Sequence, residues 1–174
     1  MTDALIESQL EAPVAKSAVN PYVFEPLDPK DVVKTWPSVR AYILATLPTV
    51  AMSDDPDAEN KLLDCFEENR LQLWRMRWVE NGSKERTLGG VVTKLMTEDT
   101  TGARSCGIYS AWMIETIPEE MILQALHILN GFADANGCNW IVANSTLPAM
   151  WRAWTKAGGD IHCRFLTLEV QHGR

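Results

Sequence analysis

The chain has 174 residues, 46% of them apolar, and its 16 basic and 23 acidic residues give a net charge of −7 at pH 7. This length favours one globular domain, and no stretch approaches the roughly 18 consecutive apolar residues of a membrane-spanning helix. The acidic balance argues against a duplex-binding protein, because such proteins carry basic stripes that neutralise phosphates. The start of the chain lacks the basic and apolar regions of a secretory signal, so we expect no secretion by that route.

The first 20 residues show no sustained hydrophobic periodicity and are rich in Ala, Ser, Pro and acidic residues. This composition predicts a flexible arm over residues 1–20, followed by a single domain over residues 21–174. The apolar cluster of Leu5, Ile6 and Leu10 is a candidate short helix against a partner, although a plain frayed terminus is the simpler explanation.

Two proline-marked helical regions follow the arm. Asp28 precedes a proline in a cap-and-first-turn arrangement, so a helix begins there. Pro37 is expected to break or kink this helix after Trp36 and to leave a second helix over residues 38–47. In the next helix Asp55 is the predicted cap and Pro56 the first helical residue.

The period of the apolar residues then changes from that of a helix to that of a strand. In three segments apolar and polar residues alternate or apolar residues form short runs: residues 71–80, 87–98 and 105–114. Asn81-Gly82 is a hairpin signal between the first two segments. These strands are expected to form an antiparallel meander.

The last part of the sequence alternates between helices and strands. We predict a helix over residues 118–135 that ends at Gly137, a short buried strand over 138–144, a helix over 147–159 and a final strand over 161–170. The expected fold class is therefore α/β (α+β), with a mixed central sheet in which a meander precedes helix–strand–helix–strand.

The cysteines and glycines offer little sign of chemistry. The four cysteines are widely separated and lie in apolar runs, which predicts reduced, buried thiols and no metal site; they are Cys65, Cys106, Cys138 and Cys163. The pair Gly89-Gly90 is expected to mark a bulge, and Gly107 a second one in the next strand.

The order and lengths of these elements resemble the GNAT superfamily, whose members transfer acyl groups from acyl-coenzyme A to amines. The resemblance covers about residues 22–170. The segments "DVVKTWPSVRAYI", "RLQLWRMRW", "ADANGCNWIVAN" and "WRAWTKAGG" look like those of short GNAT-like proteins of tailed bacteriophages. That likeness implies a phage protein located in the host cytoplasm or in the virion.

The chain departs from the GNAT pattern at the cofactor loop. In the family, a Gln/Arg-x-x-Gly-x-Gly/Ala segment after the fourth strand binds the pyrophosphate of coenzyme A through free amides at a helix N-terminus. Here residues 115–120 read Glu-Thr-Ile-Pro-Glu-Glu. This segment has no glycine, Pro118 lacks an amide hydrogen, and three carboxylates occupy the approach of the phosphates. The sequence therefore predicts no phosphate cradle.

A second departure affects the proton donor. Many members carry an Asn…Tyr-x-Lys-x-Gly-Phe pattern, and Asn144, Lys156 and Gly158 match it. Trp154 stands at the tyrosine position and Gly159 at the phenylalanine position. An indole is no usable acid, so Trp154 is expected to pack rather than to donate a proton.

Both departures favour a non-catalytic GNAT-like protein that acts through protein–protein contacts in the virion or its assembly, tethered by its arm. Its partners would be other phage structural proteins or further copies of itself, and no cofactor is expected. The candidate contact residues are Leu5, Ile6, Leu10, Trp151 and Trp154.

Two other functions stay open. One is an acyl-coenzyme A-dependent N-acyltransferase with a divergent cofactor loop and acetyl-coenzyme A as cofactor. The resemblance then implies Glu115 and Asn144 as catalytic residues, and Met113, Ile114, Asn144 and Lys156 as cofactor contacts. The other is an inhibitor or regulator of a host protein, which would offer its acidic surface to a basic partner.

Overall fold

The computed structural model describes residues 21–48, 55–80, 84–144 and 148–160. In chain order the elements are β1 (Tyr22–Pro26), α1 (Pro29–Thr46), α2 (Ala58–Glu67), β2 (Gln72–Glu80), β3 (Lys84–Thr97), β4 (Arg104–Met113), α3 (Glu119–Ala135), β5 (Trp140–Ala143) and α4 (Pro148–Lys156). The sheet order is β1-β2-β3-β4-β5; all pairs are antiparallel except β4 and β5, which are parallel. The predicted mixed sheet with a meander is confirmed.

Several predicted features fall outside the described residues: the arm over 1–20 with its contact cluster, the Asn81-Gly82 turn, and the final strand over 161–170 with Cys163. Within the described parts of the chain, no helix has the length and apolar character needed to cross a membrane.

Helix α1 is continuous, so the predicted break at Pro37 is wrong. Asp28 caps the helix as predicted, since its Oδ1 accepts a hydrogen bond from the Lys30 amide at 3.0 Å. Pro37 has no amide hydrogen, so the carbonyl of Val33 loses its helical donor. Both residues lie on the exposed side of the helix, where water can satisfy that carbonyl. Apolar side chains on both sides of the proline hold the helix against the sheet; they are Val32, Trp36, Val39 and Ile43.

Helix α2 begins at Ala58, two residues later than predicted. Pro56 lies in a turn before the helix instead of at its first position. Asp55 organises that turn, because one carboxylate oxygen accepts a hydrogen bond from the Asp57 amide at 2.9 Å and the other pairs with Lys61 at 2.5 Å.

Two strands differ from the sequence expectations. β1 is not among the predicted elements, since it is short and ends in a proline; it exists through its pairing with β2, where Glu25 lies opposite Arg75. β5 is predicted to be buried, but the Trp140 side chain is 67% exposed and Val142 is 42% exposed. Among the described strands β5 pairs only with β4.

The two faces of the sheet carry separate cores. The α1 and α2 face includes Val92 and Trp112, together with Phe66 of α2. The α3 face includes Trp74, which stacks on Phe24 at a centroid distance of 5.3 Å. The predicted apolar stripe of α3 is confirmed: Met121, Ala125, Leu126 and Leu129 are buried, while Ile122 and Phe132 are half-buried.

Candidate functional site

The sheet opens at the carboxyl end of β4. β5 pairs with β4 only from Ser105 to Ile108, whereas β4 continues to Met113. In the described part of the chain, the edge from Tyr109 to Met113 therefore has no strand beside it on that side. We call this edge the β4–β5 fork. An extended ligand with amide groups can bind such an edge as an added strand.

A bulge lies where the fork begins. Val92 of β3 pairs with Ser110 and Thr93 pairs with Ile108, so Tyr109 is the extra residue on β4. Bulges bend a strand and increase its twist, which turns the end of β4 away from β5. The sequence predicted this bulge at Gly107, two residues too early. The other predicted bulge is close to its expected position, since Leu88 is the extra residue opposite the Met76/Arg77 step and directly precedes Gly89-Gly90.

The start of α3 borders the fork, and its carboxylates are paired rather than free. Glu115 forms an ion pair with Arg86, in which Nη1 of the arginine contacts the two carboxylate oxygens at 3.0 and 3.1 Å. Glu119, in the first turn of α3, forms an ion pair with Lys156 of α4. With Glu120, three carboxylates and two cations leave one net negative charge here. The sequence placed three carboxylates at the approach of the phosphates, and the structure pairs two of them with cations.

A cavity of about 120 Å³ lies on the α1 side of the sheet, and we call it the α1 cavity. Helix α1 contributes Val39 and Tyr42, and the sheet contributes Arg75, Trp112 and Ile114. Ile114 is 48% exposed and follows the end of β4, so the cavity opens at the same edge of the sheet as the fork.

The shape of the α1 cavity depends on Gly90. In the register of the sheet Gly90 lies between Arg75 of β2 and Trp112 of β4. The indole of Trp112 covers this glycine, because a Cβ at position 90 would lie 2.4 Å from its Cζ2 atom. Tyr42 stacks on the same indole at a centroid distance of 6.3 Å and an interplanar angle of 9°.

Two polar atoms beside this cavity have no partner among the described residues. Trp112 is only 6% exposed, and its Nε1–H has no hydrogen-bond acceptor. The Nε–H of Arg75 is also buried without an acceptor. Buried donors normally have partners, and each one left unsatisfied costs about 1–3 kcal/mol. Sequence analysis missed both residues as site candidates, because only the strand register brings them to one cavity.

The charge of Arg75 is balanced by a local network. Arg75 and Arg77 each donate to one oxygen of Glu25 at 2.9 Å, and Arg77 also pairs with Glu85 at 2.5 Å. Burial raises the pKa of Glu25, but the hydrogen bonds from the two arginines outweigh it and hold that pKa below its usual value. Two guanidinium groups and two carboxylates make the network neutral.

The residues proposed from the sequence lie at several places around the fork. Met113 and Ile114 are exposed at its open end, and Glu115 follows them. Asn144 directly follows β5, whose last residue pairs with Ile108, so it lies at the closed end. Lys156 is next to the start of α3 through its ion pair with Glu119.

The two tryptophans proposed as contact residues are half-buried. Trp154 covers Gly159, since a Cβ at position 159 would lie 2.2 Å from its Nε1 atom. The glycine at position 159 thus leaves room for this indole. Trp112, in contrast to these two tryptophans, is buried and belongs to the core.

A larger concavity of about 310 Å³ lies beside α2 and includes Cys65, Lys94 and Tyr109. It is near the amino-terminal half of β4 and away from the open end of the fork. Among the described residues no group of three or more potential metal-binding side chains occurs.

Comparison with known proteins identifies the fold through structure. No protein-family model and no curated protein sequence matches the chain. The ribosomal-protein-alanine N-acetyltransferase of Brucella melitensis is 13% identical with a TM-score of 0.55, over 87% of this chain and 99% of that one. An aminoglycoside acetyltransferase from an uncultured soil metagenomic sample, in complex with sisomicin, is 13% identical with a TM-score of 0.63, over 88% and 98%.

A predicted acetyltransferase of Clostridium acetobutylicum, solved with acetyl-coenzyme A, is also 13% identical. Its TM-score is 0.59, over 85% of this chain and 96% of that one. At such identities the similarity establishes architecture alone. The mixed sheet with its bulged fourth strand and open fork, together with these neighbours, shows that the chain has the GNAT N-acetyltransferase fold.

Proposed function

We propose that the protein is an acyl-coenzyme A-dependent N-acyltransferase with a divergent cofactor loop. The observation that carries the proposal is that the β4–β5 fork and the α1 cavity open at the same end of β4. An acyl donor along the fork and an amine in the cavity would meet at one place, as group transfer requires. The reaction forms a bond between the amine nitrogen and the acyl carbon, breaks the bond to sulfur and transfers the amine proton to the leaving thiolate or to water.

The residues present fit the cofactor in two respects. The free edge of β4 between Tyr109 and Met113 offers main-chain groups to the amides of a pantetheine chain. Lys156, whose side chain is 60% exposed, is a cation beside the start of α3, where phosphates would bind. Lys156 would take the place of the glycine-based cradle of other acyltransferases. It would exchange its present partner, the carboxylate of Glu119, for a phosphate of the cofactor.

Glu115 is the candidate base for the amine. It follows the end of β4, and its carboxylate is held by Arg86. In this arrangement Arg86 positions the carboxylate, and the open side of Glu115, whose side chain is 38% exposed, faces solvent.

The proposal is tested by calorimetric titration with acetyl-coenzyme A. We expect micromolar affinity for the native protein and an about tenfold weaker affinity for Lys156→Ala, since an ion pair with phosphate contributes about 1–2 kcal/mol. Lys34→Ala is the matched control, because Lys34 is an exposed lysine that also pairs with a carboxylate but lies on α1. The absence of binding at millimolar cofactor would refute the proposal, and equal effects of both variants would remove Lys156 from it.

A non-catalytic role in protein contacts, in a phage particle or its assembly, is the second candidate. The 67% exposed Trp140 and the neighbouring Val142 on β5 favour it, because a large exposed aromatic side chain is typical of a contact surface. The start of α3 favours it as well, since Pro118 precedes the helix without a side-chain cap and without glycine. The same titration separates the two candidates, because this role needs no cofactor.

A further inference from the structure

We infer that the α1 cavity selects a primary amine with a compact apolar group and a neutral carbonyl group next to the amine, as in the amide of a hydrophobic amino acid. This inference rests on the proposed function and defines its acceptor. Four properties of the cavity support the inference: its size, its two unpaired donors, its charge and its position.

The size of the cavity limits the apolar group. A cavity of about 120 Å³ is slightly smaller than the about 150 Å³ that accommodates benzene in an apolar protein core. Its walls are largely apolar and include Leu27, Val39 and Leu73. A branched alkyl side chain such as that of leucine matches both the volume and the walls.

The unpaired donors call for an acceptor on the ligand. The side chains of Trp112 and Arg75 both line the cavity, and each carries a buried donor that has no acceptor among the described residues, Trp112 Nε1–H and Arg75 Nε–H. Both atoms can only donate, so the ligand group that satisfies them is an oxygen with lone pairs. A carbonyl oxygen has two lone pairs and can accept from both.

The charge of the surroundings favours a neutral carbonyl over a carboxylate. Arg75 carries the one formal charge among the described residues that line the cavity, and its charge is already balanced by Glu25. A buried carboxylate would therefore add a negative charge without a free countercharge, which is costly. Polycationic acceptors also fit poorly. The described residues that line the cavity include no carboxylate to bind them.

The position of the cavity completes the inference. Ile114 and Tyr42 line it and are both partly exposed, so the amine end of such a ligand would point toward the open end of the fork. The carbonyl would lie deeper, near the indole of Trp112. This arrangement separates the part of the ligand that is recognised from the nitrogen that reacts.

The test is a binding experiment that needs no cofactor. Indole N–H signals of the seven tryptophans are followed by ¹H–¹⁵N NMR, with Trp112→Phe identifying the signal of Trp112. Leucinamide, 3-methylbutylamine and leucine are added in turn. Leucinamide is expected to move the Trp112 signal and to bind about tenfold more tightly than the other two. 3-Methylbutylamine lacks an acceptor for the buried donors, whereas leucine would bring a carboxylate charge into the cavity without a free countercharge.

Arg75→Lys tests the second donor. This variant keeps a cation for Glu25 but removes Nε, so leucinamide should bind roughly five- to tenfold more weakly while 3-methylbutylamine is unaffected. Arg70→Lys is the control, since Arg70 is exposed and pairs with Glu68 on the surface. Thermal melting of each variant shows whether the fold is retained.

Equal affinity for leucinamide and 3-methylbutylamine would overturn the inference, as would a shift confined to other tryptophans or no binding at all. Titration with acetyl-coenzyme A is performed separately on the same sample. Cofactor binding without leucinamide binding refutes the acceptor alone, whereas leucinamide binding without cofactor binding refutes the acyltransferase alone.

Discussion

The replacement Gly90→Ala tests the packing that forms the α1 cavity. A Cβ at this position would lie 2.4 and 2.5 Å from two carbons of the Trp112 ring and 3.0 Å from the main-chain oxygen of Trp74. Ordinary carbon contacts are about 3.5–4.0 Å, so the buried indole must move by roughly 1 Å and lose its stacking on Tyr42. Overpacking of this kind costs about 1–3 kcal/mol in free energy of unfolding.

Gly131→Ala is a matched control with the opposite expected sign. Gly131 lies in α3, and a Cβ there would meet nothing within 4 Å. Alanine in an exposed helical position should stabilise the protein by about 0.5–1 kcal/mol. The two variants should therefore differ by roughly 1.5–4 kcal/mol in urea-induced unfolding, with unchanged slopes. Gly90→Ala with native stability would refute the described contact between Gly90 and Trp112.

Two further predictions concern titratable groups. Burial raises the pKa of Cys106 to about 11, so at pH 8 only about one thiol in a thousand is ionised. Iodoacetamide should therefore spare Cys106 in the folded protein. Peptide mass spectrometry that finds Cys106 labelled as fast as the half-buried Cys65 would contradict the burial of Cys106. The pKa of Glu25 is lowered in the folded state, so its stabilising effect is present above its unfolded value of 4.5 and is lost as the pH falls through the folded value. Glu25→Gln should therefore be about 1 kcal/mol less stable than the native protein at pH 7, and this difference should shrink as the pH falls below 4.5. Urea unfolding that gives a constant difference from pH 3 to pH 7 would rule this out.

Sequence periodicity was sufficient for elements whose stability is decided locally or by one apolar face. Helix α3 is the clearest case, with its buried Met121 and Leu129 at helical spacing and its end near Gly137, which has a φ of +66°. Periodicity failed where a distant partner decides the outcome. β1 depends on its pairing with β2, and the continuity of α1 through Pro37 depends on packing against the sheet.

The candidate site was less accessible to sequence reasoning than the fold. The acidic segment before α3 suggested repulsion of phosphate, but Arg86 and Lys156 neutralise two of its carboxylates from 29 and 37 residues away. Likewise Arg75 and Trp112 are brought to one cavity by the register of three strands. Contacts of this kind leave no periodic signal in a single sequence.

Binding of acyl-coenzyme A at the fork, as proposed above, can be tested at single main-chain amides. Because the Ile114 amide donates to β3, alternation along the strand directs the amides of Met113 and Ala111 to the opposite side, into the fork. Amide hydrogen exchange measured with and without acetyl-coenzyme A tests the claim most directly. We expect amide exchange at Ala111 and Met113 to slow at saturating cofactor. Unchanged exchange at both amides in millimolar cofactor would contradict binding at the fork.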